Sequence, residues 1–130
     1  MAILVMFSNY FHDLATAIFA VSAVTAYLLQ RTLATQTAPA TAQSVDRSLW
    51  PVVRGVQRMG YYSLAWTLLF GSIRGITYRE YEWVEAAGRN QVPALVVKHI
   101  FLVALVITGV VFLYRLRRLQ ATAEAAEASR

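Results

Sequence analysis

The sequence predicts an all-α integral membrane protein, a bundle of three transmembrane helices with the N-terminus outside the cytoplasm and the basic C-terminus inside it. Of the 130 residues, 58% are hydrophobic, which is more than a soluble domain of this length needs for its core. Only 15% are charged, against about 25% in typical soluble proteins, and these charges avoid three long apolar stretches. The excess of apolar surface indicates a lipid environment, with residues 1–130 forming one membrane domain.

The first span is predicted over about residues 3–30, and it ends at Arg31. It has no basic n-region, so we expect a retained helix, although an N-terminus cleaved as a signal peptide is the alternative. Residues 32–46 are mostly Thr, Ala and Gln with Pro39, a composition that neither spans lipid nor fills a core. A flexible loop is predicted there.

The second span is predicted over about residues 52–77. Pro51 fits the first helical turn, where the N–H that proline lacks would have no partner. Arg54 and Arg58 lead into the apolar part, a pattern typical of a membrane interface. This helix is the shortest of the three in apolar length, so it is the weakest part of the predicted topology.

The third span is predicted over about residues 93–116. The segment before it, residues 78–91, mixes both charge signs with aromatic residues, which is typical of a loop at the headgroup level. The segment after it, residues 117–130, is rich in Ala and Glu and is predicted to be a solvated tail, either helical or frayed.

The orientation follows from the imbalance of Lys and Arg between the two sides of the membrane. The side of the first loop and the C-terminus holds Arg31, Arg47, Arg54, Arg58, Arg115, Arg117, Arg118 and Arg130. The other side holds Arg74, Arg79, Arg89 and Lys98, diluted by Glu80, Glu82 and Glu85. We therefore expect a multi-pass protein of the bacterial inner membrane, its richer side cytoplasmic. Anionic lipid is the expected counter-charge, and no basic stripe with interleaved aromatics indicates nucleic acid.

Two histidines, His12 and His99, fall inside the first and third spans. His12 precedes Arg31 by 19 residues, about 28 Å of helix, and His99 precedes Arg115 by 16 residues, about 24 Å. Both therefore lie at nearly the same depth, toward the outer face. Ionisable residues within a span are costly and so are candidates for function, but histidines near an interface also commonly serve only in helix packing.

A pair of histidines at one depth fits the axial ligands of a b-type haem held between helices 1 and 3. In this hypothesis His12 and His99 ligate the haem iron, while Arg74 and Lys98 pair with its propionates. Asp13 or Asn9 would accept the second N–H of an imidazole. Snorkelling toward the headgroups explains the two cations equally well.

Two other functions remain open from the sequence. The chain could be a non-catalytic accessory subunit, in which the Gly71 and Gly75 pair packs against another helix of this chain or of a partner. It could instead handle quinone or copper at the outer face, with ligands drawn from Tyr10, Asn9, His12 and Asp13. The absence of cysteine excludes thiolate metal sites and thioether-attached haem.

No phosphate-binding loop, dinucleotide-binding glycine pattern, zinc-protease helix or serine nucleophile motif occurs in the sequence. The general plan, a short helical bundle with histidines at matched depth, resembles in architecture the membrane subunits of respiratory and other electron-transfer complexes, without a shared motif. We therefore expect a small subunit that works with other integral membrane subunits and is not an enzyme on its own.

Overall fold

The computed structural model of the chain describes residues 2–36, 47–78, 83–89 and 91–128, and within them every regular element is a helix. Three helices are long: α1 (Ala2–Gln36), α2 (Trp50–Tyr78) and α4 (Val92–Ala128). A 3₁₀ turn (Arg47–Leu49) precedes α2, and the short α3 (Val84–Gly88) lies between α2 and α4. The predicted all-α fold is confirmed.

Helix α1 is the central element, because it packs against both α2 and α4, whereas α2 and α4 touch each other over a much shorter length. The main buried cluster lies where α1 ends and α2 begins, against the second half of α4. Its members are Phe19, Ala26, Leu33, Trp50, Val53, Val56, Leu113 and Leu116. The bundle is thus closed most tightly at this end.

Helix α1 extends beyond the predicted first span, since residues 32–36 are helical although they were predicted to belong to a loop. Two threonines that make the composition look loop-like bond to the helix itself: Thr32 Oγ1 donates to Leu28 O, and Thr35 Oγ1 donates to Thr32 O. Leu33 is buried in the main cluster. Packing of this single leucine therefore outweighs the polar composition around it.

Two glycines permit the helices to approach closely. A Cβ atom on Gly109 of α4 would lie 2.5 Å from Cζ of Phe19, and one on Gly60 of α2 would lie 2.7 Å from Cδ1 of Leu113. The absence of a side chain at Gly109 is what allows the aromatic ring of α1 to rest on the α4 backbone.

Two helices are long and apolar enough to cross a membrane, Ile3–Thr35 within α1 and Val92–Ala126 within α4. In their most apolar windows, 33% of the α1 residues and 6% of the α4 residues are buried within the chain. A core helix of a soluble protein would be mostly buried, so the exposure of α4 indicates a membrane protein. Helix α2 does not meet the same criterion of apolarity.

Each long helix nevertheless contains one stretch of 15 or more residues without a charged residue. These stretches are residues 14–30, 59–73 and 99–114. The charges that bound them are separated by about 24 to 27 Å along the helix axis, close to the thickness of a bilayer's hydrocarbon core.

Contacts between the helices align these stretches. At one end, Arg74 Nη1 lies 3.3 Å from Asp13 Oδ1, which joins the end of α2 to the first third of α1. At the other end, Gln30 Nε2 donates to the carbonyl oxygen of Phe112 at 2.6 Å, which joins α1 to α4. We call the first the histidine end of the bundle and the second, beside Arg31, the basic end.

Candidate functional site around His12

His12 is a buried histidine at the histidine end, with 7% of its surface exposed. Its Nδ1 lies 3.1 Å from the carbonyl oxygen of Thr67 on α2. A carbonyl can only accept, so Nδ1 carries the proton and donates it to this bond. In the neutral imidazole Nε2 then has a lone pair, and it makes no hydrogen bond to any residue that the structure describes.

Gly71 is the residue that gives the imidazole access to the α2 backbone. It lies one turn after Thr67, and a Cβ atom there would be 3.2 Å from Cε1 of His12 and 3.5 Å from Nδ1. A larger side chain at this position would displace the ring from the carbonyl. A Cβ atom on Gly75, the other residue of the glycine pattern, would meet nothing within 4 Å, so this position faces open space.

The imidazole lines an apolar groove of about 330 Å³ between α2 and α4. The α2 wall consists of Thr67, Leu68, Gly71 and Ser72, and the α4 wall of Leu102, Val103, Val106 and Ile107. Histidine is thus the one ionisable side chain in the lining of a groove that is otherwise apolar or carries hydroxyls.

The groove exists because α4 packs less closely toward its start. Along the face of α4 that meets α1, Leu116 and Leu113 are fully buried and Gly109 is buried, but Val106 is only partly covered and His99 is exposed. Burial therefore decreases steadily toward the histidine end. The result is a wedge-shaped space with His12 on its inner side.

His99 does not enter this groove. It is exposed on α4, and its Nδ1 lies 2.7 Å from the carbonyl oxygen of Leu95, one turn earlier in the same helix. It lines a neighbouring groove of about 400 Å³ with Val96, Ile100 and Val103. Val103 lines both grooves, so the two grooves are neighbours along α4, with one histidine in the lining of each. The prediction that both ligate one haem stays a prediction.

The predicted cations are at the histidine end, but Arg74 is engaged with Asp13, an ion pair whose side chains are 16% and 63% exposed. Lys98 is exposed, and it acts on His12 electrostatically together with these two groups. Asp13 was predicted as a candidate to orient the imidazole, with Asn9 as the other. Neither does so, because the acceptor is the Thr67 carbonyl.

Three polar atoms near His12 are buried without a partner among the described residues: Ser8 Oγ, Asn9 Oδ1 and Thr67 Oγ1. Ser8 lies one turn before His12 on α1, and Thr67 lines the groove. Buried polar groups in folded proteins normally have hydrogen-bond partners. The histidine end therefore has unused capacity to bind a polar group.

Another cavity, of about 690 Å³, lies elsewhere, on the α1–α2 surface. It is bordered by a stack in which the ring centroids of Trp66 and Phe70 are 5.2 Å apart and those of Phe70 and Phe11 are 5.5 Å apart. The hydroxyl of Ser63, one of the lining residues, donates to Met59 O in its own helix. The lining is otherwise mostly apolar, and its other polar groups are the hydroxyl of Tyr62 and the indole N–H of Trp66.

Within the described residues no three His, Asp or Glu side chains lie together as a metal-ion site. The predicted copper site drew on Tyr10, Asn9, His12 and Asp13, of which only His12 and Asp13 are of these residue types, so copper binding there stays a prediction. A haem needs only one or two axial donors, so this finding does not bear on it.

Comparison with protein families, curated proteins and solved structures finds no significant match to this chain. Its function is therefore inferred from its own site.

Sequence reasoning identified His12, Asp13 and Arg74 as residues of the histidine end, and the structure brings these three together. It missed the role of Thr67, because the contact uses a backbone carbonyl that every residue has. The sequence pattern predicted that Gly71 and Gly75 permit close helix packing, but it did not predict the contact of Gly71 with the His12 imidazole.

Proposed function

We propose that the chain is a three-span membrane subunit of an electron-transfer complex, and that it binds a b-type haem in the wedge between α1, α2 and α4. The observation that carries the proposal is the state of His12, whose Nδ1 is held by Thr67 O while its Nε2 lone pair makes no described hydrogen bond. Histidines that ligate metals usually donate their other N–H to a carbonyl or carboxylate in this way.

The surroundings of His12 support a flat, largely apolar ligand. The walls contributed by Leu102, Val103 and Val106 suit a macrocycle, and α4 becomes more exposed toward its start, where propionates would be solvated. His99, at the open edge, would be the second axial ligand, and Lys98 would be a partner for a propionate. Bringing His99 to the iron requires the start of α4 to close over the ligand.

The alignment of the three charge-free stretches supports a third span at α2. The Asp13–Arg74 contact brings the uncharged stretch of α2 level with that of α1, and the bond from Gln30 to Phe112 O does the same for α4. Two of its hydroxyls, on Ser63 and Ser72, donate to carbonyls of the same helix, which lowers the cost of placing them in lipid.

The test is an absorption spectrum of the complex isolated with its native subunits, oxidised and after dithionite reduction. The proposal predicts a b-type α band that the His12→Asn variant lacks. Asparagine places an amide N–H near the position of Nδ1, so it can still donate to Thr67 O, but it offers no nitrogen lone pair to iron. A colourless complex that contains all its subunits would contradict the proposal.

The matched control is Gln30→Ala, which removes a comparable hydrogen bond between helices at the opposite end of the bundle. It should leave the α band unchanged. His99→Ala then determines the second ligand: loss of the low-spin spectrum assigns His99 as the axial partner, and an unchanged spectrum assigns that position to another subunit.

A second candidate function is the non-catalytic accessory subunit, favoured by the use of polar groups as ties between helices. His12 and Gln30 of α1 bond to backbone carbonyls of α2 and α4, respectively. Arg74 of α2 pairs with Asp13 of α1. This function predicts a colourless complex in which His12→Asn assembles and works normally. Quinone extraction from the same complex would distinguish a quinone site, for which the unpartnered hydroxyls of Ser8 and Thr67 offer donors.

A further inference from the structure

A pocket of about 490 Å³ lies between α2 and α4 at the basic end, opposite the end that holds His12. Three arginines line it, Arg54 and Arg58 from α2 and Arg117 from α4. The rest of the lining consists of Gln57, Tyr61, Gln120, Ala121 and Glu124. Since this pocket is on a different part of the bundle, what binds there is independent of the His12 groove.

The charges in this pocket are strongly unbalanced. Glu124 is the one carboxylate in the lining, and its Oε1 accepts a hydrogen bond from Gln120 Nε2 at 2.8 Å. In the described part of the chain, none of the three arginines forms an ion pair. Guanidinium groups that share a pocket repel one another, so an anion bound between them would lower the energy of the folded bundle.

A neutral donor adds to the three cations. Gln57 lines the pocket, and its Nε2 is buried without an acceptor among the described residues. A buried donor of this kind needs an acceptor, and the oxygens of a phosphate group provide several. Guanidinium groups match phosphate oxygens in pairs, which makes arginine the usual residue for phosphate recognition.

The depth of the pocket indicates where such a phosphate comes from. Arg58 directly precedes the charge-free stretch of α2, and Arg117 follows the stretch of α4, which ends at Tyr114. The pocket is therefore at the boundary of the apolar belt, at the level of lipid headgroups, where basic pockets between helices bind anionic lipid. We propose that the Arg54, Arg58 and Arg117 pocket binds the phosphate group of one anionic membrane lipid.

A general attraction of the basic end to an anionic membrane is the competing explanation, and Arg118 provides the control for it. Arg118 follows Arg117 on the same helix, but it does not line the pocket, and its guanidinium carbon lies 5.3 Å from the centre of the Tyr114 ring. Arg118→Gln removes the same charge as Arg117→Gln at nearly the same depth. Only Arg117→Gln removes a guanidinium group from the lining of the pocket.

The experiment uses the full chain in nanodiscs of phosphatidylcholine with added phosphatidylglycerol, and native mass spectrometry counts the lipid molecules retained. The wild type should retain one phosphatidylglycerol. Arg58→Gln and Arg117→Gln should each weaken its binding roughly tenfold to a hundredfold, because each loses a charge-assisted hydrogen bond. Arg118→Gln should weaken it by at most about fivefold, the effect of one general surface charge. Circular dichroism verifies that each variant is folded.

A parallel titration of detergent-solubilised protein with inorganic phosphate distinguishes the sources of the phosphate. Retained phosphatidylglycerol with no thermal stabilisation by inorganic phosphate supports the lipid. The opposite result is thermal stabilisation by inorganic phosphate without retained lipid, lost in Arg117→Gln and kept in Arg118→Gln. That result assigns the pocket to a soluble phosphate and overturns the lipid proposal. Equal weakening of phosphatidylglycerol binding in the Arg117→Gln and Arg118→Gln variants also overturns the proposal. So does a wild type that neither retains phosphatidylglycerol nor is stabilised by inorganic phosphate.

Discussion

Arg74 Nη1 at the end of α2 lies 3.3 Å from Asp13 Oδ1 on α1, so the charges that bound two apolar stretches meet at one level of the bundle. Together with the packing of α1 against α2, this contact places their uncharged stretches side by side. If α1 crosses the membrane, α2 is held alongside it over the same depth.

The first prediction concerns that topology, and the chain is suited to it because it has no cysteine. Single cysteines at Ser48, Gly88 and Ala125 are to be labelled in intact cells with a membrane-impermeant maleimide. Three spans predict that Ser48→Cys and Ala125→Cys share one side, while Gly88→Cys is on the other. If α2 did not cross, positions 48 and 88 would instead be labelled from the same side.

The second prediction concerns the strength of the Asp13–Arg74 pair. Its carboxylate is well exposed, so we expect Asp13→Asn and Arg74→Gln to destabilise the bundle only modestly, with a coupling energy below about 1 kcal/mol in a double-mutant cycle. Unfolding of the purified protein by SDS gives the four free energies. A coupling of several kcal/mol would show that the pair is shielded from water by lipid or a partner subunit.

The third prediction uses the contact between Gly109 and Phe19. Gly109→Ala places a methyl group against the phenylalanine ring and against Ala23, so it should destabilise the bundle by about 1–3 kcal/mol. Gly75→Ala, where a Cβ atom meets nothing within 4 Å, is the matched control and should have no such effect.

Combining Gly109→Ala with Phe19→Leu tests the cause of this destabilisation. The smaller side chain removes the ring atoms nearest to the new methyl group, so the two changes together should cost less than the sum of their separate effects. Strict additivity would mean that the ring is not the obstacle.

The fourth prediction concerns the hydrogen bond from Gln30 to Phe112 O, which ties α1 to α4 at the basic end. Gln30→Leu should destabilise the bundle by about 0.6 kcal/mol and by at most about 1.7 kcal/mol, the average and the maximum for such bonds between membrane helices. The control is Thr25→Val, because the hydroxyl of Thr25 donates only to Val21 O of its own helix. An equal loss in both variants would indicate that the Gln30 bond contributes nothing between helices.

The sequence by itself determined the helical fold, the two most apolar helices and the position of His12 along the first of them. These properties depend on local composition and on the fixed rise of a helix, so they can be counted from charges such as Arg31. The sequence also located the histidine end, because Asp13 and Arg74 border apolar stretches.

Only the tertiary structure decided how the helices are rotated about their axes and how closely they approach. The position of a residue along its helix can be counted from the sequence, but the rotation of the helix depends on which side chains pack together. Here the rotation follows from the contacts of Phe19 with Gly109 and of His12 with Gly71. That rotation points His12 into the bundle and leaves His99 exposed, although the spacing from Arg31 and Arg115 predicts a similar depth for both. It also brings Arg58 and Arg117, distant in sequence, into one pocket. Contacts of this kind depend on shape and on backbone atoms, which the spacing of residues does not encode.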